Sequence, residues 1–137
     1  QAVLGGIGAV SLFVAAIGIA NTMMMSIYER TKEIGVLKVL GCALGDIRTM
    51  FLMEAGFIGF MGGVLGLGLS YSVSAAINKF LGASLSGMTG GSGAISRIPL
   101  WLSGSAVVFA VLIGMLAGLF PALRAMKLSP LAAIRNE

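Results

Sequence analysis

Charge is the scarcest commodity in this sequence. Of its 137 residues only 10% are charged, nine Lys or Arg against five Asp or Glu, while 58% are hydrophobic. A soluble domain carries about 25% charged residues and uses them to cover its surface. A chain this short has much surface for its volume, so the composition excludes a free soluble domain. The wealth of apolar residues equally excludes a disordered chain. Histidine is absent, which removes the commonest acid–base group and metal ligand. Cys42 is the only cysteine, so no internal disulfide can form and a disulfide scaffold is excluded. No GxxxxGK[ST] sequence occurs, so there is no phosphate loop of that type for ATP. In so apolar a chain a net charge of +4 marks the flanks of membrane helices rather than a nucleic-acid surface.

What is present is three long uncharged runs: Gln1 to Tyr28, Ala55 to Asn78 and Ile98 to Leu123. A bilayer core needs about 20 helical residues, and each run is long enough. Lipid offers no hydrogen-bond partners to the backbone, so a spanning segment must be a helix or part of a closed barrel. The runs lack the alternation of barrel strands, which leaves helices. The first run has no basic leader and is too long for the apolar part of a signal peptide. The expected fold is an all-α membrane protein, a single transmembrane domain with spans over about 3–28, 50–78 and 99–123.

The basic residues set the expected orientation. Arg30, Lys32, Lys38 and Arg48 lie between the first two spans, and Arg124, Lys127 and Arg135 follow the third. Only Lys79 and Arg97 lie between the second and third. The positive-inside rule makes the first connection and the C-terminus cytoplasmic and leaves the 79–98 loop outside. Three spans then put Gln1 outside. A start at Gln1 rather than Met, on the outer side, leads us to expect that this is a fragment with further chain upstream.

The two connections differ. The outer one, rich in Gly and Ser, shows neither helical nor strand period and is expected to be a flexible exposed loop. The inner one, ERTKEIGVLKVLGCALGDIR from Glu29 to Arg48, holds seven of the charges. Glu29 with Lys32 and Glu29 with Glu33 stand at helical spacing. Ile34, Val36, Leu37 and Leu40 share a broad face, with Gly35 and Lys38 opposite. Gly41 is the expected helix terminator and Asp46 the expected N-cap of the next helix. The result is a short amphipathic helix over about 30–41. On these residues alone it either rests on lipid headgroups or docks into a groove on a cytoplasmic partner.

Small residues recur every four positions in the spans. Ala55, Gly59 and Gly63 form one ladder, Gly62, Gly66 and Ser70 a second, and Ala106, Ala110, Gly114, Gly118 and Ala122 a third. Such ladders let helix backbones approach, and we expect Gly59, Gly62, Gly63, Gly66, Ala110, Gly114 and Gly118 to pack helices together. Polar groups at depth are few. Glu54 is placed to reach Arg48 or the interface, and Asn21 to bond between helices. No ring of acidic or amide residues marks an ion path, which argues against a selective channel. Met23, Met24 and Met25 suit Cu(I) as ligands, but three consecutive residues point around a helix, so packing is the better reading.

The stretch Asn21–Ser70 resembles the core of the FtsX-like permease family, which includes the MacB-type exporters and the LolC/LolE lipoprotein-releasing permeases. The resemblance is carried by ERTKEIG at Glu29–Gly35, KxLG at Lys38–Gly41, DIR at Asp46–Arg48 and the pair Glu54–Ala55. The end of the chain resembles the family's closing signature in Pro121–Ala122, Arg124–Ala125, Pro130 and Ala133–Ile134–Arg135. The resemblance implies a permease of a type VII ABC transporter in the bacterial cytoplasmic membrane. It implies spans two to four of such a permease, the first span and the extracytoplasmic domain being absent here.

It further implies pairing with a second permease copy and with an ATP-binding subunit or domain that holds ATP and Mg²⁺, so that this chain is no enzyme and carries no cofactor. An extracytoplasmic accessory protein is a further implied partner, and nucleic acid is not. The short helix would then be the coupling helix, with Glu29, Arg30, Lys32, Glu33, Ile34, Gly35, Leu37, Lys38, Leu40 and Gly41 at the ATPase. ATP-driven closure would push on it, and packed helices would carry the movement to efflux or extraction on the outer face. The alternative is a non-transport scaffold or signalling subunit that activates an extracellular enzyme or anchors partners.

Overall fold

The computed structural model describes residues 2–89 and 98–126, with the side-chain surroundings of residues 81–89 excepted. Among the described residues every regular element is a helix: α1 (Ala2–Glu29), α2 (Thr31–Val39), α3 (Leu44–Thr89) and α4 (Leu100–Met126). α1, α4 and the Leu44–Phe80 part of α3 are each long and apolar enough to cross a membrane. The expected membrane fold is therefore present, with the short helix between the first and second spans.

α3 differs from expectation in length. It has 46 residues, or about 69 Å at 1.5 Å per residue, against a hydrocarbon core of about 30 Å. Its backbone stays helical to Thr89, into the segment whose composition suggested an open loop. Gly and Ser weaken a helix without forbidding it, and an established helix propagates more readily than it nucleates. The remainder of that loop lies outside the described residues, as do Lys127, Pro130 and the Ala133–Ile134–Arg135 signature.

α4 is the helix on which the others assemble. It packs along α3 and against α1, whereas α1 and α3 touch only briefly. The α3–α4 seam is made by small residues. Ala110, Gly114 and Gly118 of α4 face Ala55, Gly59 and Gly63 of α3. A Cβ on Gly114 would lie 2.7 Å from the Ala55 carbonyl oxygen, and one on Gly59 would lie 2.5 Å from that of Ala110. The two backbones are in direct contact there, an approach that residues without side chains permit. At the other end of the seam the hydroxyls of Tyr71 and Ser103 are 2.8 Å apart, a hydrogen bond between α3 and α4.

Gly62 and Gly66 were expected to join this packing and do not. A Cβ at either would meet nothing within 4 Å. Positions three apart on a helix are about 60° short of a full turn, so two ladders offset by three residues cannot both face one straight partner. Gly62 lines a groove of about 370 Å³ among α1, α3 and α4, and Gly66 lines another of about 410 Å³ along the later half of α3.

The buried side chains gather where α1 ends, α3 begins and α4 ends. Met23, Ile27, Ile34, Ile47, Phe51, Ala55, Ala122 and Ala125 form one cluster there, with Ile19 packed against it. Met23 is thus a core residue, as its sequence context suggested. The rest of α1 stays exposed over most of its length, as a lipid-facing helix does.

Candidate functional site

α2 sits at the clustered end of the bundle. α1 stops at Glu29, and Arg30 takes φ −99° and ψ 17°, outside the helical well. The Thr31 hydroxyl donates to the carbonyl oxygens of Ile27 and Tyr28, both at 2.9 Å. It therefore satisfies carbonyls that the break in the helix leaves open. Arg30 has no side-chain capping bond to α2.

The far end of α2 is closed by a Schellman motif. The Cys42 N–H donates to the Leu37 carbonyl at 3.0 Å and the Gly41 N–H to that of Lys38 at 3.1 Å. Gly41 has φ +86°, the left-handed conformation that favours glycine, so it terminates the helix as its position in the sequence predicted. Asp46 does not cap α3. Ala43 occupies the cap position and accepts from the Asp46 and Ile47 N–H groups, so Asp46 lies in the first helical turn. A carboxylate there still opposes the positive end of the helix dipole.

Side-chain placement on α2 departs at Ile34 from the face read from its sequence. Ile34 and Gly35 are buried against the bundle, Leu37 and Lys38 are half-buried, and Lys32, Glu33, Val36, Val39 and Leu40 are exposed. The apolar face was expected to hold Ile34, Val36, Leu37 and Leu40, with Gly35 and Lys38 opposite; Val36 and Leu40 do stand outward and Gly35 inward, whereas Ile34 is buried with Gly35 and Leu37 is half-buried. In a helix of nine residues apolar side chains occur nearly all round, and the bundle selects the side it packs. Ile34 and Gly35 are accordingly withdrawn from any outer contact surface, and Lys38 is turned inward. Glu29, Arg30 and Gly41 are exposed.

Two side chains link this region to the long helices. Arg30 stands 4.0 Å from the Glu54 carboxylate of α3, with Arg30 half-exposed and Glu54 about one-third exposed. Glu54 thus meets Arg30 and not Arg48. The Lys38 ammonium donates to the Met126 carbonyl at 2.7 Å and lies 3.4 Å from that of Ala125. Partial burial holds the Lys38 pKa below its ordinary value, because desolvation penalises the charged form.

Among the described residues no group of three or more His, Cys, Asp or Glu could hold a metal ion. The arrangement instead offers a contact surface: an exposed strip of mixed charged and apolar residues on a short helix whose other side is anchored. Val39 belongs to that strip and escaped the sequence reading, and Val36, read on the apolar face, was not among the residues expected at the ATPase.

The model of the FtsX-like permease C-terminal family matches residues 5–130. This chain belongs to the FtsX-like permease family. It is 38% identical to the ABC transporter permease YtrF of Bacillus subtilis (strain 168) over 136 residues, which are 96% of this chain and 31% of YtrF. It is 39% identical to an uncharacterized ABC transporter permease of Methanocaldococcus jannaschii over 136 residues, 96% of this chain and 32% of that protein. It is 40% identical to the macrolide export ATP-binding/permease protein MacB of Bdellovibrio bacteriovorus over 134 residues, 98% of this chain and 19% of that MacB. The chain thus spans about a third or less of these curated relatives. It is a multi-pass membrane protein of the ABC transporter permease family.

Proposed function

We propose that this chain is the energy-coupling transmembrane part of an ABC transporter, and that α2 is the element on which a partner ATP-binding subunit or domain docks. The observation that carries this reading is the two-sidedness of α2. One side is fixed in the bundle through Ile34 and Gly35, while Lys32, Glu33, Val36, Val39 and Leu40 stand outward beside Glu29 and Arg30. Val36 is 50%, Val39 65% and Leu40 76% exposed. A docked partner gains most where an apolar patch is ringed by polar groups that fix its orientation.

In this reading α2 faces the cytoplasm of a prokaryotic cell, as the basic residues around it suggest. ATP and Mg²⁺ belong to the partner. Closure of the ATP-binding domains pushes α2, and the α3–α4 seam carries the displacement across the membrane. The outcome is efflux or extraction of a substrate on the outer face. Within the described residues of the three spans as read from the sequence (about 3–28, 50–78 and 99–123), Glu54, near the start of the second, is the one charged side chain. No ring of charges lines a path, which supports transmission of movement over conduction of a polar solute. A second permease copy completes the assembly, and an outer accessory protein acts on the far side. The name of the MacB relative is compatible with a macrolide as cargo but does not select it for this chain.

The test uses the full-length permease with its ATP-binding partner in nanodiscs. Leu40→Asp and Glu33→Lys, both on the exposed strip, are expected to abolish permease-dependent change in the partner's ATPase rate while membrane insertion persists. Wild-type coupling in both variants would overturn the proposal. Failure of any ATP-binding partner to co-purify, together with binding of the wild-type chain to anionic vesicles that Leu40→Asp weakens, would establish the alternative scaffold, whose short helix merely rests on lipid.

A further inference from the structure

The two links from the α2 region to the long helices differ in kind. Arg30 and Glu54 meet at 4.0 Å with both side chains substantially exposed, so water and salt screen the pair and it constrains little. Lys38 lies in the last turn of α2 and reaches across to α4, where it donates to the Met126 carbonyl at 2.7 Å with the Ala125 carbonyl at 3.4 Å. A carbonyl oxygen has two lone pairs, and a hydrogen bond from a charged donor is shorter and stronger than a neutral one. The backbones of α2 and α4 hardly approach each other, so the link between them is made by side chains, among them Lys38, while Ile34 lies in the same buried cluster as Ala122 and Ala125.

We infer that Lys38 is a positioning residue that splints the short helix to the end of α4, so that a displacement of α2 is delivered to α4 in preference to α3. The inference rests on the docking reading of α2 given above. The covalent route into α3 supports it. That route runs through Gly41, Cys42 and Ala43, all exposed, with Gly41 in the left-handed region. It can bend without disturbing packed side chains. The route into α4 has no covalent link, and there a charged donor on paired carbonyls supplies one. From Ala125 the movement passes along a helix whose Gly118, Gly114 and Ala110 bear directly on α3, so α3 follows α4.

The experiment uses the full-length permease bound to its ATP-binding partner in nanodiscs, in a Cys42→Ser background. Spin labels are placed at two exposed positions, Phe13 on α1 and Phe120 on α4, because α3 moves with α4 and would not report the displacement. The nucleotide-dependent change in the distance between them is compared in the wild type, Lys38→Met and Lys38→Arg. Met keeps the aliphatic stem without the donor, while Arg keeps a charged donor. The expected result is that the change is abolished in Lys38→Met and retained in Lys38→Arg, with the partner still co-purifying in both. A wild-type change in Lys38→Met overturns the splint. Should Lys38→Met fail to elute as a single species, Lys38→Gln, polar but too short to reach α4, takes its place with the same expectation. Failure of the docking reading is separately visible, because Leu40→Asp would then bind the partner as the wild type does.

Discussion

Replacing Gly114 by alanine adds one carbon atom at the tightest part of the helix seam, and the geometry fixes what that atom must do. It would lie 2.7 Å from the Ala55 carbonyl oxygen, 3.1 Å from the Gly59 Cα and 3.3 Å from the Gly59 nitrogen. All three are backbone atoms, so no side chain can swing away. Ordinary van der Waals contact begins near 3.4 Å, so the α3 and α4 backbones must part by about 0.7 Å at this point. A radial gap of about 0.5–1 Å forfeits roughly a quarter to a half of each dispersion contact it opens. In a membrane such contacts are a main source of helix association, since burial from lipid supplies no hydrophobic gain.

Overpacking of this kind costs about 1–3 kcal/mol. Gly59→Ala meets the Ala110 carbonyl oxygen at 2.5 Å and is expected to cost at least as much. Gly62→Ala and Gly66→Ala are the controls, with nothing within 4 Å of the new carbon. Alanine exceeds glycine in helix propensity by about 1 kcal/mol, so these two should be neutral or mildly stabilising. The assay is thermal unfolding of the purified chain in detergent, read as the fraction eluting as a single species after heating. A lower midpoint for Gly59→Ala and Gly114→Ala with an unchanged or higher one for the controls is expected. Equal midpoints for all four variants would refute the close-contact account.

Three further substitutions test other parts of the architecture. Gly41→Val forces a β-branched side chain into φ +86° at the end of α2 and should destabilise the folded chain by about 1–3 kcal/mol, which hydrogen exchange over Lys38–Ile47 would register as faster exchange. Phe51→Ala empties the largest fully buried side chain of the cluster joining α1, α2, α3 and α4; a loss of about 3–5 kcal/mol is expected in chemical denaturation. Tyr71→Phe removes the bond to Ser103 and should cost about 0.6 kcal/mol, the average for such bonds in membranes, seen as a small drop in the same thermal midpoint.

Local composition was enough to reveal the spans and the short helix between them. Long uncharged runs must be helical in lipid whatever surrounds them, and a left-handed glycine ends a helix through its own backbone freedom. The sequence by itself thus determined the class, the number of spans, the stop at Gly41 and, through its motifs, the family. The tertiary structure alone decided which ladder is used. Ala55, Gly59 and Gly63 touch α4 whereas Gly62 and Gly66 do not, because the azimuth of α3 depends on its partner. It alone also decided that Ile34 turns inward while Val36 and Val39 face out, since nine residues with apolar groups nearly all round do not say which of them the bundle buries. The Met126 carbonyl that Lys38 bonds lies 88 residues away, a pairing created by packing and invisible to any local pattern.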